Sequence, residues 1–111
     1  MTTDLLTWLR DQLDRDERVA ASARDDPYHQ LGQYVVLSPD EQVADIAAKR
    51  ALIGLAESAA NRAGRAEEPV DEYTRTTRSM ARMEAAALRE SVCLLASAYA
   101  HRPGYREQWR P

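Results

Sequence analysis

Four carboxylates near the start of the chain, Asp11, Asp14, Asp16 and Glu17, are the first group with the chemistry of a site. Paired carboxylates on one helix face can hold Mg²⁺ or move protons. Asp11 and Asp14 share such a face, which supplies one reading: a small metal-dependent hydrolase. Helical nucleotide pyrophosphatases need a matching acidic pair on a second helix, and none follows here. Asp16 and Glu17 alternate with Arg15 and Arg18, the pattern of a solvated face. A second group is cationic. Arg75, Arg78, Arg82 and Arg89 recur at three, four and seven residues along one helix side. They suit a phosphate-tracking stripe, hence a nucleic-acid-associated accessory protein, or else a face docked on acids of the first helix. No aromatics are interleaved with them, as single-strand binders require. His29, Cys93 and His101 lack the short spacing of a zinc site. Cys93 lies among Val92, Leu94 and Leu95 and reads as a buried, inert thiol. His101 suits a helix C-terminus. There is no glycine-rich phosphate loop and no serine nucleophile elbow. The expected inventory is no catalytic residue, no metal and no cofactor.

The third group is the tail. Tyr105 and Trp109 stand four residues apart, flanked by Arg106 and Arg110. On a helical turn that spacing puts both rings on one side. They form either a clasp folded back over an apolar groove or an exposed aromatic and arginine anchor of the kind that dominates protein interfaces.

Proline spacing sets the elements that carry these groups. Prolines fall at 27, 39, 69, 103 and 111, and helices must run between them. The first helix is expected over about 4–24, with Thr3 as N-cap. Leu6, Leu9, Leu13 and Ala20 form its stripe, widened by Leu5, Trp8 and Val19. Ser38-Pro39-Asp40-Glu41 is a capping box with proline at the first helical position, so the second helix starts at 39 and runs to about 63. Val43, Ile46, Ala47, Ile53 and Ala60 mark its face, joined by Leu52, Leu55, Ala56 and Ala59. Asp45 and Lys49 pair across one turn. The third helix is expected over about 70–101. Met80, Met83, Ala87, Leu94 and Ala98 keep helical spacing, with Leu88, Val92, Leu95 and Tyr99 in an adjacent row. Its C-terminal half should be the most buried. Gln33–Leu37 has strand-like character but no ladder partner, so it is read as a short strand or an extended loop.

The 111 residues suit a single helical domain over 1–111. Nineteen are alanine and none is phenylalanine, so large apolar side chains are scarce. Three alanine-faced helices bury little on their own, and a homodimer seamed by the second and third helices is expected. No apolar run approaches a membrane span. Asp4, Arg10 and Asp11 occupy the stretch a secretion signal keeps apolar, and one cysteine permits no intrachain disulfide, so the chain reads as cytoplasmic. The net charge of −3 argues against a dedicated nucleic-acid binder. It conceals an acidic front, −3 over residues 1–37, and a basic back, +2 over 69–111.

Three blocks carry a likeness: Trp8-Leu9-Arg10 through Leu13–Glu17; Val43–Ile53 with Ala47-Ala48-Lys49-Arg50-Ala51-Leu52-Ile53; and Cys93–Pro111 with Pro103-Gly104-Tyr105 and Trp109-Arg110-Pro111. On these the chain resembles a family of short actinobacterial and actinophage proteins of unknown function, the DUF6221-like proteins. The resemblance implies that setting and no established activity. Relatives often carry histidine directly before the proline; here Arg102 stands there, with His101 one place earlier. The sequence therefore reads as an all-α three-helix bundle with a short extended segment and an aromatic C-terminal clasp. Its function reads as non-enzymatic interaction or regulation, binding a protein partner through the third helix and the tail.

Overall fold

The computed structural model describes residues 2–25, 38–65 and 71–111. Three helices, α1 (Thr2–Asp25), α2 (Pro39–Gly64) and α3 (Glu72–Ser97), are followed by a short 3₁₀ turn, Glu107–Trp109. Among the described residues there is no strand, and no helix is long and apolar enough to cross a membrane. The expected extended segment at Gln33–Leu37 lies outside the described residues.

Local chemistry explains most boundaries. The Ser38 hydroxyl accepts from the Glu41 backbone N–H, and the Glu41 carboxylate accepts from the Ser38 N–H, as the capping box requires. At the first helix the expectation is off by two residues: α1 already runs at Thr2, so Thr3 lies inside it. At the third helix the start moves in the other direction. α3 starts at Glu72 rather than about 70, and Asp71 caps it, its carboxylate accepting from the Thr74 N–H at 2.8 Å while the Thr74 hydroxyl accepts from the Asp71 N–H. The far end also differs. After Ser97 the backbone tightens to i→i−3 bonds, from Ala98 to Leu95, Tyr99 to Ala96 and Arg102 to Tyr99. This tightening turns Tyr99 into the bundle, where it is buried.

The Asp71 cap is sensitive to acid. The Thr74 backbone N–H, and then its hydroxyl, hold the Asp71 carboxyl below its ordinary 3.8. A depressed carboxyl stabilises the fold above its unfolded pKa and loses that contribution as pH falls through the folded value. Wild-type helicity by far-UV circular dichroism should therefore fall below about pH 4. Asp71→Asn, which caps without titrating, should show a smaller acid loss. Equal losses in the two proteins would deny the cap this role.

The helices pack antiparallel in sequence. Arg10 of α1 grips Glu57 of α2 through two hydrogen bonds, 3.1 and 3.2 Å, and Arg50 of α2 reaches both Asp14 and Glu17 at 2.7 and 2.6 Å. Arg62 of α2 meets Glu84 of α3, while Lys49 meets Tyr99. The core lies where all three helices overlap: Leu5, Leu6, Leu9 and Leu13 of α1, Ile46, Ile53 and Ala56 of α2, Val92 and Ala96 of α3, and Tyr99 just beyond its end.

The overlap is incomplete. Arg62 sits in the last turn of α2, level with Glu84, yet α3 begins at Glu72. About three turns of α3, roughly 15 Å, thus run past the end of α2. The molecule is correspondingly long, 64 × 26 × 18 Å. This geometry corrects the expected core of α3. Leu88, Val92, Ala96 and Tyr99 face inward, whereas Met80, Met83, Ala87, Leu94 and Ala98 are exposed. In α2, Leu55, Ala47 and Ala60 are likewise outside, and Val19 of α1 is exposed.

Candidate functional site

The tail beyond Tyr99 turns back along the bundle. Gly104 makes the turn with φ of +91°, a backbone region that glycine alone enters freely. Its missing side chain also makes room: a Cβ at Gly104 would lie 2.7 Å from Trp8 Nε1. Trp8 Nε1 instead donates to the Pro103 carbonyl at 3.0 Å. Tyr105 and Trp109 then close on Trp8. Ring centroids lie 5.7 Å (Trp8–Tyr105), 5.4 Å (Trp8–Trp109) and 5.7 Å (Tyr105–Trp109) apart, the last pair edge to face. Trp109 is only 4% exposed. The helical turn that was to align the two rings is reduced to the 3₁₀ turn Glu107–Trp109. The C-terminal element is a clasp. Its charged groups stay outside: Arg106 points to Asp4 at 3.4 Å, and Arg110 is held two-fold by Glu107 at 2.8 and 3.0 Å.

Among the described residues neither the Tyr105 hydroxyl nor Trp109 Nε1 has a hydrogen-bond partner, although both atoms are buried. The cluster is therefore held by apolar burial and ring packing. Tyr105→Phe removes a desolvated hydroxyl without breaking a bond, so stability should change by less than about 1 kcal/mol, neutral or upward. A loss of several degrees in the melting temperature would show that the hydroxyl is engaged.

The adjoining polar site centres on Arg102. Its guanidinium stacks on Tyr99, 4.6 Å from the ring centre, and donates to Asp16 at 2.8 Å and Gln12 at 3.3 Å. Lys49 approaches the same ring from α2, bonding the Tyr99 hydroxyl at 3.0 Å and Asp45 at 2.7 Å. Partial burial pulls the Lys49 pKa down, but its bonds to Asp45 and Tyr99 outweigh this and leave it above its ordinary 10.5. Asp16, Gln42, Asp45 and Arg102, with Val19 and Ile46, line a cleft of about 250 Å³. Its two carboxylates are each held by a cation, Asp45 by Lys49 and Asp16 by Arg102. Sequence spacing had found the Asp45–Lys49 pair but not Arg102, whose partners lie 86 and 90 residues away.

The remaining chemistry-bearing residues are dispersed. Asp14 and Glu17 are engaged by Arg50 rather than by each other, and Asp11 is exposed. Among the described residues no three His, Cys, Asp or Glu side chains converge as metal ligands. His29 lies outside the described residues, His101 is exposed, and Cys93 is half-buried rather than enclosed. Arg75, Arg82 and Arg89 lie exposed along one line of α3, while Arg78 is half-buried. The acids of α1 that might have docked them are taken by Arg50, Arg102 and Arg106 instead.

α3 also carries large apolar side chains on its exposed side. Tyr73 is 78% exposed, Met80 65%, Met83 70% and Leu94 58%. Tyr73, Met80, Ala87 and Leu94 are spaced by seven, so they form a single stripe on the outside of α3. Beside it the end of the tail, Gln108, Arg110 and Pro111, lines a shallow depression of about 340 Å³ with Ala86, Glu90 and Cys93.

Together these features define an all-α three-helix domain fastened by a C-terminal aromatic clasp. The chain belongs to a family of unknown function (DUF6221), whose model matches residues 2–111. No curated protein and no solved structure matches it.

Proposed function

We propose that this chain is a non-enzymatic interaction protein that engages a protein partner through the outer face of α3 and the adjoining edge of the tail. The exposed stripe Tyr73, Met80, Met83 and Leu94 carries this reading. Large apolar side chains grouped on one face mark an interaction surface, whereas scattered ones do not. Methionine adapts its shape to a partner, and tyrosine is enriched where interfaces are strongest. The tail's rings are spent on the clasp, so its share of the surface is the guanidinium groups of Arg106 and Arg110. The single half-buried cysteine fits a reducing compartment such as the cytoplasm. A photo-reactive residue in place of Met83, introduced in the native host, should cross-link to a protein. One in place of Ala21, on exposed α1, should not. Equal or absent labelling at the two positions would reject the reading.

A second reading draws on the exposed column Arg75, Arg82 and Arg89. Three phosphate contacts would give a slope of about −2.7 in log affinity against log salt on duplex DNA. Against the chain's net charge of −3, binding that vanishes at physiological salt would dismiss it.

A further inference from the structure

We infer that residues 105–111 form a latch that swings open on Gly104 as one piece while the three-helix bundle stays folded, uncovering the Trp8 ring. Contacts on the two sides of Gly104 differ in kind. Before it the chain is fastened to the bundle. Tyr99 is buried, and the Arg102 guanidinium lies 4.6 Å from its ring centre and donates to Asp16 at 2.8 Å. Trp8 Nε1 holds the Pro103 carbonyl. After Gly104 the polar contacts turn inward on the tail. Arg110 pairs with Glu107 and lies 5.8 Å from the Tyr105 ring centre, while Arg106 lies 5.5 Å from that of Trp109. The Trp109 backbone N–H donates to the Arg106 carbonyl and the Arg110 N–H to that of Glu107. With the edge contact of Tyr105 and Trp109, these lie within residues 105–111 and survive opening. The ion pair that crosses to α1, Arg106 with Asp4 at 3.4 Å, joins two side chains more than half exposed and contributes little.

Two opposed effects set the balance. Burial of the Trp109 ring against Trp8 favours the closed latch. Against it, the Tyr105 hydroxyl and Trp109 Nε1 are both buried without a partner, and each regains water when the tail lifts. A segment whose burial is offset in this way opens at a lower free energy than the core helices, which expose their amides only on global unfolding. Gly104, at φ of +91° on the boundary between the two sets of contacts, has the backbone freedom to take up the rotation.

Native-state hydrogen exchange on the intact chain, followed by NMR, tests this. The Trp109 indole N–H reports the latch; the backbone N–H groups of Leu9, Ile53 and Val92, all buried, report the bundle. Relative to intrinsic rates, protection of the indole should be at least about 10-fold weaker than that of the three amides. It should also respond little to low urea, because opening the latch exposes little surface. Equal protection with an equal urea response overturns the inference, since the tail would then leave only when the whole molecule unfolds. An unprotected indole overturns it too, since the latch would have no closed state. Ile46→Val supplies the second test. Ile46 is buried at the level of Asp16 and Val19, about two turns of α1 from Trp8. The substitution should speed exchange of the three amides roughly 2- to 12-fold. The Trp109 indole should keep its rate, because the open and closed latch share the same bundle. Acceleration of the indole by the same factor as the amides overturns the inference.

Discussion

Trp109→Ala is expected to cost about 3–5 kcal/mol, the range for deleting a buried aromatic side chain. The ring is 4% exposed and packs on two other aromatic rings, Trp8 and Tyr105. Neighbours offer little means of filling the void. Trp8 is tied to the Pro103 carbonyl, and Tyr105 follows directly on the Gly104 turn. Domains of this length have only about 5–15 kcal/mol of total stability, so the loss is about a fifth or more of the whole. The melting temperature should fall by about 15 °C or more. The same ring gives an independent readout. With Trp8→Phe leaving Trp109 as the sole tryptophan, emission should be blue-shifted and poorly quenched by acrylamide. A freely quenched Trp109, together with a stability loss under about 1 kcal/mol for Trp109→Ala, would mean that the clasp is open in solution.

Why these outcomes could be read only in part from the sequence follows from what local signals contain. The start of α2 was legible because Ser38, Pro39 and Glu41 act within one turn, and all their partners are neighbours. Leu6, Leu9 and Leu13 were legible because α1 has one apolar face, and that face must be the buried one. α3 has two. Met80, Met83 and Leu94 share one side; Leu88, Val92 and Tyr99 share another. Helical spacing states which residues stand together but not which side the other helices cover. The missing information is the register between α2 and α3, fixed by Arg62–Glu84 and Lys49–Tyr99, and it lies in contacts 22 and 50 residues apart. Arg102 was hidden for the same reason. It reads as one more arginine of a basic back, yet its place is set by Tyr99 beneath it and by Asp16 and Gln12 across the bundle. The opposed charges of the two chain ends do meet, but through single residues, Arg102 with Asp16 and Arg106 with Asp4, rather than through the arginine row of α3.

Gly104→Ala should be nearly as damaging as loss of the tryptophan, although it adds only one methyl group. Two penalties act at once. An L-residue in the left-handed region costs about 1–2 kcal/mol. The new Cβ would also lie 2.7 Å from Trp8 Nε1 and 3.0 Å from its Cδ1, too close for either to stay in place. If Trp8 gives way, its bond to the Pro103 carbonyl goes with it, about 1 kcal/mol more. The expected total is about 2–3 kcal/mol, with the clasp rather than the helices as the part that loosens. A double-mutant cycle separates the two penalties. In a Trp8→Ala background the methyl meets open space, and Gly104→Ala should cost only the backbone share. The difference of about 1 kcal/mol between backgrounds measures the contact between turn and ring. Equal costs in both would place the whole effect in the backbone, and Trp8 would then not depend on the glycine for its seat.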